Sequence, residues 1–421
     1  MNPTGTLKAY LALDRQQRLG RPALQDLQEA KLRRLVRHAY ATVPYYRRLF
    51  DGAGVDPKSI NAVEDLGRVP LTTKADLQAA GPDAILSTAY PRDALVKERT
   101  SGSTGQPFTV RFDRPFVGIR NALFLRALNA AGYGPGQRLL LVTDERPKPP
   151  PAWMRWRYAL NLDGPDALVE AFEDFRPHVV YGCVTPLRNM AIALEKRPKA
   201  WRPRAVVTTA ESLHPPTRRR LKAAFGADVV DVYGLTETGM LAWECGWHTG
   251  YHLSEDTAVV DLLPEPVPGA GQPLVVTNLD LLGMPFIRYR TGDLVEPADD
   301  GPCCPCGRTL KRLSRIEGRL VDCLRLADGR AVSPYSLVKV LGPLPGLDRY
   351  RVVQTGERDF KVQFEEKSGR APPAEGAVRG ALGPLLGDDA TISLCGEPTL
   401  EPPPGRKFRL VECQWGGGPG A

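Results

Sequence analysis

The run Thr100-Ser101-Gly102-Ser103-Thr104-Gly105-Gln106-Pro107 mixes glycines with hydroxyl side chains and carries no bulky group. Glycine lets a backbone turn sharply and aim its N–H groups inward, and hydroxyls add donors, so such a run can wrap a chain of phosphates. It is not a Walker A loop, because the closing Gly-Lys-Ser/Thr is missing. A flexible linker has the same composition, but the apolar Phe108-Thr109-Val110-Arg111-Phe112 that follows leads this run straight into a strand. Three further segments bear on the choice. Tyr233-Gly234-Leu235-Thr236-Glu237-Thr238 sets a hydroxyl beside a carboxylate, suited to a phosphate oxygen and to Mg²⁺ respectively. Tyr289-Arg290-Thr291-Gly292-Asp293 ends a strand with a carboxylate that can take both hydroxyls of a ribose. Pro404-Gly405-Arg406-Lys407-Phe408-Arg409 offers a lysine that can reach a phosphate as a point charge. Alone, each reads equally as a cap, a turn or an exposed basic loop. Together, in this order, they argue for a nucleotide site.

A second group of residues has metal-binding types. Cys304-Pro305-Cys306-Gly307-Arg308 is one half, and Cys245, His248 and His252 in Glu-Cys-Gly-Trp-His-Thr-Gly-Tyr-His are the other. Zn²⁺ takes soft or borderline ligands in a tetrahedron, and two from each half complete it. Free thiols with a surface histidine are the alternative, since C-x-C is less specific than paired C-x-x-C knuckles. Cys183 and Cys413 read as plain thiols.

The elements that must hold these groups follow from periodicity. Leu32, Leu35, Val36, Ala39 and Val43 recur at helical spacing, which predicts a helix over 28–43 stopped by Pro44. A helix over 116–131 is closed by Gly132-Tyr133-Gly134-Pro135. Strands at 138–143, 178–182, 205–209 and 228–233 then alternate with helices at 165–175, 185–196 and 216–225. Short apolar strands in such alternation predict a parallel α/β sheet covered on both faces. Ligands of such sheets sit beyond the carboxyl ends of the strands, so the loops after 209 and 233 should border a crevice. From about 256 the segments AVVDLL, PLVVTNL and FIRYR predict a β-rich subdomain. Strands at 350–354 and 359–364 with a helix at 374–386 predict a small α+β domain, with a boundary near Gly318-Arg319. The tail from Trp415 should fray.

Composition narrows the classes. The 421 residues carry 56 Lys+Arg against 48 Asp+Glu, a net charge of +8, with 42% hydrophobic residues, which suits a globular chain rather than a disordered one. The length predicts two or three domains. No apolar run reaches the roughly 18 residues of a membrane span, and the first residues lack a signal-peptide pattern, so no membrane association is expected. The 8 cysteines are expected as reduced thiols in the cytoplasm. Arginines are scattered, with Arg218 to Arg220 the one short run. That reads as a solvated surface, or as a general attraction for small polyanions. The basic stripe with aromatics that nucleic-acid binding calls for is missing.

On these motifs the chain resembles the phenylacetate–CoA ligase-like branch of the adenylate-forming superfamily. The resemblance runs through VPYYRRLF, VPLTTKADLQ, ERTSGSTGQPF, TTAESL, VYGLTETG, MPFIRYRTGDL, RIEGRLVD and GRKFR. It implies an α/β fold: a large N-terminal adenylation domain (1–318) with mainly parallel sheets plus a β-rich subdomain, and a small mobile α+β C-terminal lid domain (319–421). It implies that ATP and a carboxylic acid, of aromatic type, give an acyl-adenylate that passes to coenzyme A. An amine or a carrier-protein thiol is the alternative acceptor. Retention of Glu237, Asp293 and Lys407 argues against a non-catalytic nucleotide-binding relative.

The resemblance also assigns residues. Ser101, Gly102, Ser103, Thr104 and Gly105 would hold the triphosphate, Thr236 the α-phosphate and Glu237 the Mg²⁺. Ala210 and Glu211 would flank the adenine with Tyr233 and Gly234 against it, and Asp293 would take the ribose. Arg319 would sit at the hinge and Lys407 would stabilise the adenylation transition state. Zinc would be structural, on Cys245, His252, Cys304 and Cys306, with His248 and Cys303 as reserve ligands. A homodimer is common in the branch. The sequence departs at Gln106, where a lysine is common, at Val321, where an acid is usual in the hinge, and at Arg406, which separates Gly405 from Lys407.

Overall fold

The computed structural model describes residues 3–99, 108–144, 154–197, 201–264, 266–298, 303–366, 371–387, 389–400 and 408–415. The predicted phosphate-binding residues Ser101 to Gly105, the lysine Lys407 and most of the C-terminal tail lie outside them.

One 11-stranded sheet organises the first three quarters of the chain. Its parallel part runs, in spatial order, through Trp156–Leu160, Leu139–Thr143, Val179–Cys183, Ala205–Thr209 and Asp228–Leu235. Antiparallel strands continue it: Gly239–Trp243, Tyr251–Leu253, Arg312–Arg319, Tyr289–Pro297, Gln272–Asn278 and Ala258–Leu262. The β-rich segment is therefore continuous with the parallel strands through the hairpin after Leu235. Neighbouring residues in the parallel strands bury on opposite faces. Val180, Val206 and Val229 pack under the helices Gly164–Phe175, Val184–Leu194 and Pro215–Phe225. Val179, Val207 and Val230 pack against Leu24, Ala127 and Leu128 of the helices Arg21–Thr42 and Arg114–Ala130. Burial on both faces is why these strands read as unbroken apolar runs.

Beyond Arg319 a single 3₁₀ turn, Leu320–Asp322, leads to a separate four-stranded sheet ordered Thr391–Glu397, Asp359–Glu365, Tyr350–Gln354 and Val411–Cys413. The helices Pro334–Leu341 and Glu375–Leu386 cover it, and Leu337, Val352, Phe360, Val362 and Leu382 form its core.

Two local expectations need correction. Pro44 does not merely end a helix: it opens the next, Pro44–Gly52, because the first helical position needs no N–H donor. The segment FIRYR is not all strand. Arg288 has φ 47°, its N–H goes to Thr277 Oγ1 at 3.0 Å, and the strand begins only at Tyr289. Phe286 and Ile287 are buried packing residues instead. Among the described residues no helix is long and apolar enough to cross a membrane.

Candidate active site

Two strand ends build the floor of the site. At the end of Ala205–Thr209 the chain turns through Ala210, whose φ of 66° is uncommon for a residue with a Cβ and marks a constrained position. Glu211 follows, and its carboxylate accepts the Thr185 N–H at 2.6 Å, at the start of the helix Val184–Leu194, where a negative charge suits the helix dipole. On the neighbouring strand, Asp228–Leu235, Tyr233 is half-buried, and its hydroxyl donates to Asp293 Oδ2 at 2.5 Å. Gly234 faces the hairpin partner so closely that a Cβ there would lie 2.8 Å from the Gly239 carbonyl oxygen. Glycine is required at that position.

Asp293 is almost fully buried. Burial pushes its carboxyl up from the ordinary range, and Arg319 and the Tyr233 hydroxyl oppose that push. Arg319 is its direct cross-strand partner, with Nε 3.5 Å from Oδ1. Burial and the Asp293 charge together push the Tyr233 phenol far up, so it stays a donor.

These residues border one cavity of about 320 Å³ lined by Ala210, Glu211, Tyr233, Gly234, Asp293 and Arg319 from the large sheet and its loops, and by Asp322, Arg349, Phe408 and Arg409 from the chain beyond. It lies past the carboxyl ends of the strands, where ligands of open α/β sheets bind. Thr236 and Glu237 occupy the turn into Gly239–Trp243 and are not among the described lining residues. Glu237 is buried, accepts the Tyr289 hydroxyl at 3.0 Å, and burial raises its pKa. The strands Val96–Arg99 and Thr109–Phe112 pair antiparallel, Arg99 opposite Thr109.

Sequence reasoning missed a polar network beneath the cavity. Asp231 accepts the hydroxyls of Thr208 at 2.5 Å and Tyr251 at 2.9 Å, and burial raises its pKa to about 7. Its N–H goes to Glu244, which Arg218 grips through both terminal nitrogens. The signal was available: an aspartate in the middle of the apolar strand Asp228–Leu235 calls for partners.

On the far side of Glu244, Cys245, His252, Cys304 and Cys306 come together with all ligand atoms within 4.8 Å of one another. The Cys245 and Cys304 sulfurs are 3.6 Å apart, and Cys306 Sγ is 3.4 Å from His252 Nε2. A tetrahedron with metal–sulfur bonds of about 2.3 Å has edges of about 3.8 Å, so the spacing fits. Burial, with help from Arg308, Arg312 and Arg126, lowers the His252 pKa to about 4, which keeps the imidazole neutral. Burial raises the Cys245 thiol to about 12, so its thiolate needs a cation beside it. The reserve ligands go elsewhere. His248 Nε2 meets Asp228 at 2.8 Å, and Cys303 is exposed.

The family described as AMP-binding enzyme matches residues 156–286. The chain is 33% identical over 380 residues to a phenylacetate–coenzyme A ligase of Thermus thermophilus, across 83% of both chains. It is 29% identical over 376 residues to a phenylacetate–coenzyme A ligase of Escherichia coli, across 82% of this chain and 83% of that one. The fold matches a 2-hydroxyisobutyryl-CoA ligase in complex with R3-HIB-AMP with a TM-score of 0.77, at 22% identity, over 94% of this chain and 91% of the other. An anthranilate CoA ligase in complex with anthranoyl-AMP matches with a TM-score of 0.54, at 14% identity, over 82% and 74%.

Proposed function

The chain belongs to the phenylacetate–coenzyme A ligase family, and from that premise we infer that it activates a carboxylic acid with ATP, as an acyl-adenylate, and passes the acyl group to coenzyme A. A carboxylate is a poor electrophile, because its leaving group would be oxide. When its oxygen attacks the α-phosphorus, the bond to pyrophosphate breaks and AMP becomes a competent leaving group. The thiol sulfur then attacks the acyl carbon and AMP departs. Two anions must meet in the first step, so the site has to neutralise phosphate charge and align the attack.

The observation that carries this reading is the Tyr233–Asp293–Arg319 arrangement inside the cavity. A carboxylate oriented from both sides suits a ribose diol, and we assign the adenine to the cavity wall at Ala210 and Glu211. We assign the triphosphate to Ser101 to Gly105, the α-phosphate to Thr236 and transition-state charge to Lys407. Mg²⁺, when bound, screens the phosphate charges, and Glu237 is its ligand in this assignment. We place the domain division at 318/319, on Gly318 with φ 116° and the single turn that follows it. Aryl-substituted acids are the proposed substrates. Cys245, His252, Cys304 and Cys306 are proposed to hold zinc. With four protein ligands no position stays open for substrate, so the metal's role is structural.

The test is acid-dependent pyrophosphate release across a panel of aryl and alkyl acids, with product analysis in the presence of coenzyme A and of amines. Release with an aryl acid and a thioester product supports the reading. No release with any acid, together with no ATP binding, ends it.

A further inference from the structure

The hairpin formed by the strands Gly239–Trp243 and Tyr251–Leu253 joins the Cys/His cluster to the cavity. Cys245 follows its first strand and His252 lies in its second, so two of the four proposed zinc ligands belong to it. The other two, Cys304 and Cys306, precede the strand Arg312–Arg319, which pairs with the hairpin through Leu313 opposite Tyr251. The residues just before the hairpin ligands make different contacts. Glu244 precedes Cys245 and accepts the Asp231 N–H at 2.8 Å. Tyr251 precedes His252, and its hydroxyl donates to Asp231 Oδ2 at 2.9 Å. Asp231 and Tyr251 both line the cavity.

These contacts hold one strand in place. The Thr208 hydroxyl takes Asp231 Oδ1, and Tyr251 takes the other oxygen. Glu244 is pinned in turn by both terminal nitrogens of Arg218, at 2.8 and 2.9 Å. His248, also on the hairpin, meets Asp228 at 2.8 Å. The hairpin thus grips the strand Asp228–Leu235 at 228 and at 231, two residues before Tyr233. Consecutive side chains of a strand point to opposite faces, which is how Tyr251 reaches the cavity while His252 reaches the cluster. Between the cluster's own side chains run only long sulfur contacts, Cys245 to Cys304 at 3.6 Å and Cys306 to His252 at 3.4 Å. A bound ion would replace them with short bonds. Fixing Cys245 and His252 fixes Glu244 and Tyr251 as well, because consecutive Cα atoms are about 3.8 Å apart.

We propose that Glu244 and Tyr251 are positioning residues, through which zinc on Cys245, His252, Cys304 and Cys306 sets the Asp231 wall of the nucleotide cavity. Zinc then governs nucleotide affinity as well as stability. The proposal rests on the acid-activation reading and the zinc assignment above. Its test is AMP binding to the full-length chain by calorimetry, at a temperature below every thermal midpoint. Binding is measured with zinc loaded, after its removal by a chelator, and after its return. The chains are wild type, Tyr251→Phe, and Tyr251→Phe/Glu244→Gln.

Zinc removal is expected to raise the Kd for AMP about tenfold in the wild type, and its return should restore the affinity. The zinc-loaded double variant should already bind AMP about that weakly, and removal should change it less than about twofold. A metal that only stabilises the fold would weaken AMP binding by the same factor in both chains, and that result overturns the proposal. So does unchanged AMP affinity in the folded, zinc-depleted wild type, or wild-type affinity in the zinc-loaded double variant. A depleted wild type that unfolds outright overturns it too, since zinc then holds the whole domain rather than this contact. Should the double variant not fold, Tyr251→Phe takes its place in each comparison. A wild-type chain without zinc after metal-replete expression sinks the metal assignment. One that holds zinc yet binds neither AMP nor ATP sinks the acid-activation reading. Either result takes this proposal with it.

Discussion

Asp293 and Arg319 stand opposite each other on adjacent antiparallel strands, and their side chains meet across the cavity wall at 3.5 Å. Arg319 is the last residue of its strand, and the turn to the small sheet starts one residue later. The carboxylate assigned to the nucleotide is thus held by the residue at which the chain leaves the large sheet. A change in the direction of the chain at 319–322 must be felt at Asp293.

Asp293→Asn should therefore weaken nucleotide binding more than Tyr233→Phe. The first removes the charge that both neighbours orient, and the second removes one donor to it. Hydrogen bonds to charged groups contribute about 1.5–3 kcal/mol, so Asp293→Asn should raise the KM for ATP by roughly 10- to 100-fold. Tyr233→Phe should raise it by about tenfold or less. Pyrophosphate release at varied ATP separates the two. Equal effects would mean that Tyr233 acts on the nucleotide directly rather than through Asp293.

Metal analysis should find about one zinc per chain after metal-replete expression, because the four donors fit one tetrahedral ion. His252→Ala or Cys306→Ala should drop the content below about 0.3 and lower the thermal midpoint. Cys303→Ala should change neither, since that thiol is exposed and outside the cluster. Full zinc occupancy in the His252→Ala protein would assign the histidine's place to another ligand.

Arg126 and Asp256 form an ion pair with side chains 1% and 0% exposed. The guanidinium stacks 4.3 Å from the Trp243 ring centroid and donates to Ser254 at 3.1 Å. Breaking a buried pair leaves an uncompensated charge, which costs about 3–5 kcal/mol. Arg126→Met should destabilise by that amount in urea unfolding, and Arg126→Met/Asp256→Leu should recover a large part. A double variant no more stable than the single one would place the loss in the Trp243 packing instead.

Periodicity located most of the parallel strands and their covering helices, because burial on two faces writes itself as short apolar runs. Ala205–Thr209 and Tyr350–Gln354 have the predicted bounds. What periodicity missed depends on partners far away in sequence. Phe286 and Ile287 look like strand, yet the chain bends at Arg288, which donates to the carbonyl of Val69 and to that of Gly67 at 3.0 Å. The left-handed Ala210 has no sequence marker, since alanine rarely adopts that φ. Motif order brought Ala210, Tyr233, Asp293 and Arg319 to one cavity. The Asp231 network and the Asp322–Arg409 pair join residues 13 to 87 positions apart; the lone aspartate in an apolar strand says that partners are needed, and no local pattern says which.

Asp231 gives a pH dependence whose sign can be worked out. Burial raises its pKa to about 7 from an ordinary value of 3.8. Between those values the folded chain holds a proton that the unfolded chain has released. Its contribution to stability therefore falls as pH rises through that window and levels off above about 7. Asp231→Asn removes the titration. It keeps an acceptor for Thr208 and turns an N–H₂ toward the Tyr251 hydroxyl, which can accept as readily as donate. The unfolding free energy of the variant relative to wild type, from urea titrations, should rise from pH 5 to pH 7 and stay level from 7 to 8, a change on the order of 1 kcal/mol or more. A difference that stays flat across pH 5 to 8 would show that Asp231 is ionised throughout, with Arg218 acting through Glu244 as the compensating charge.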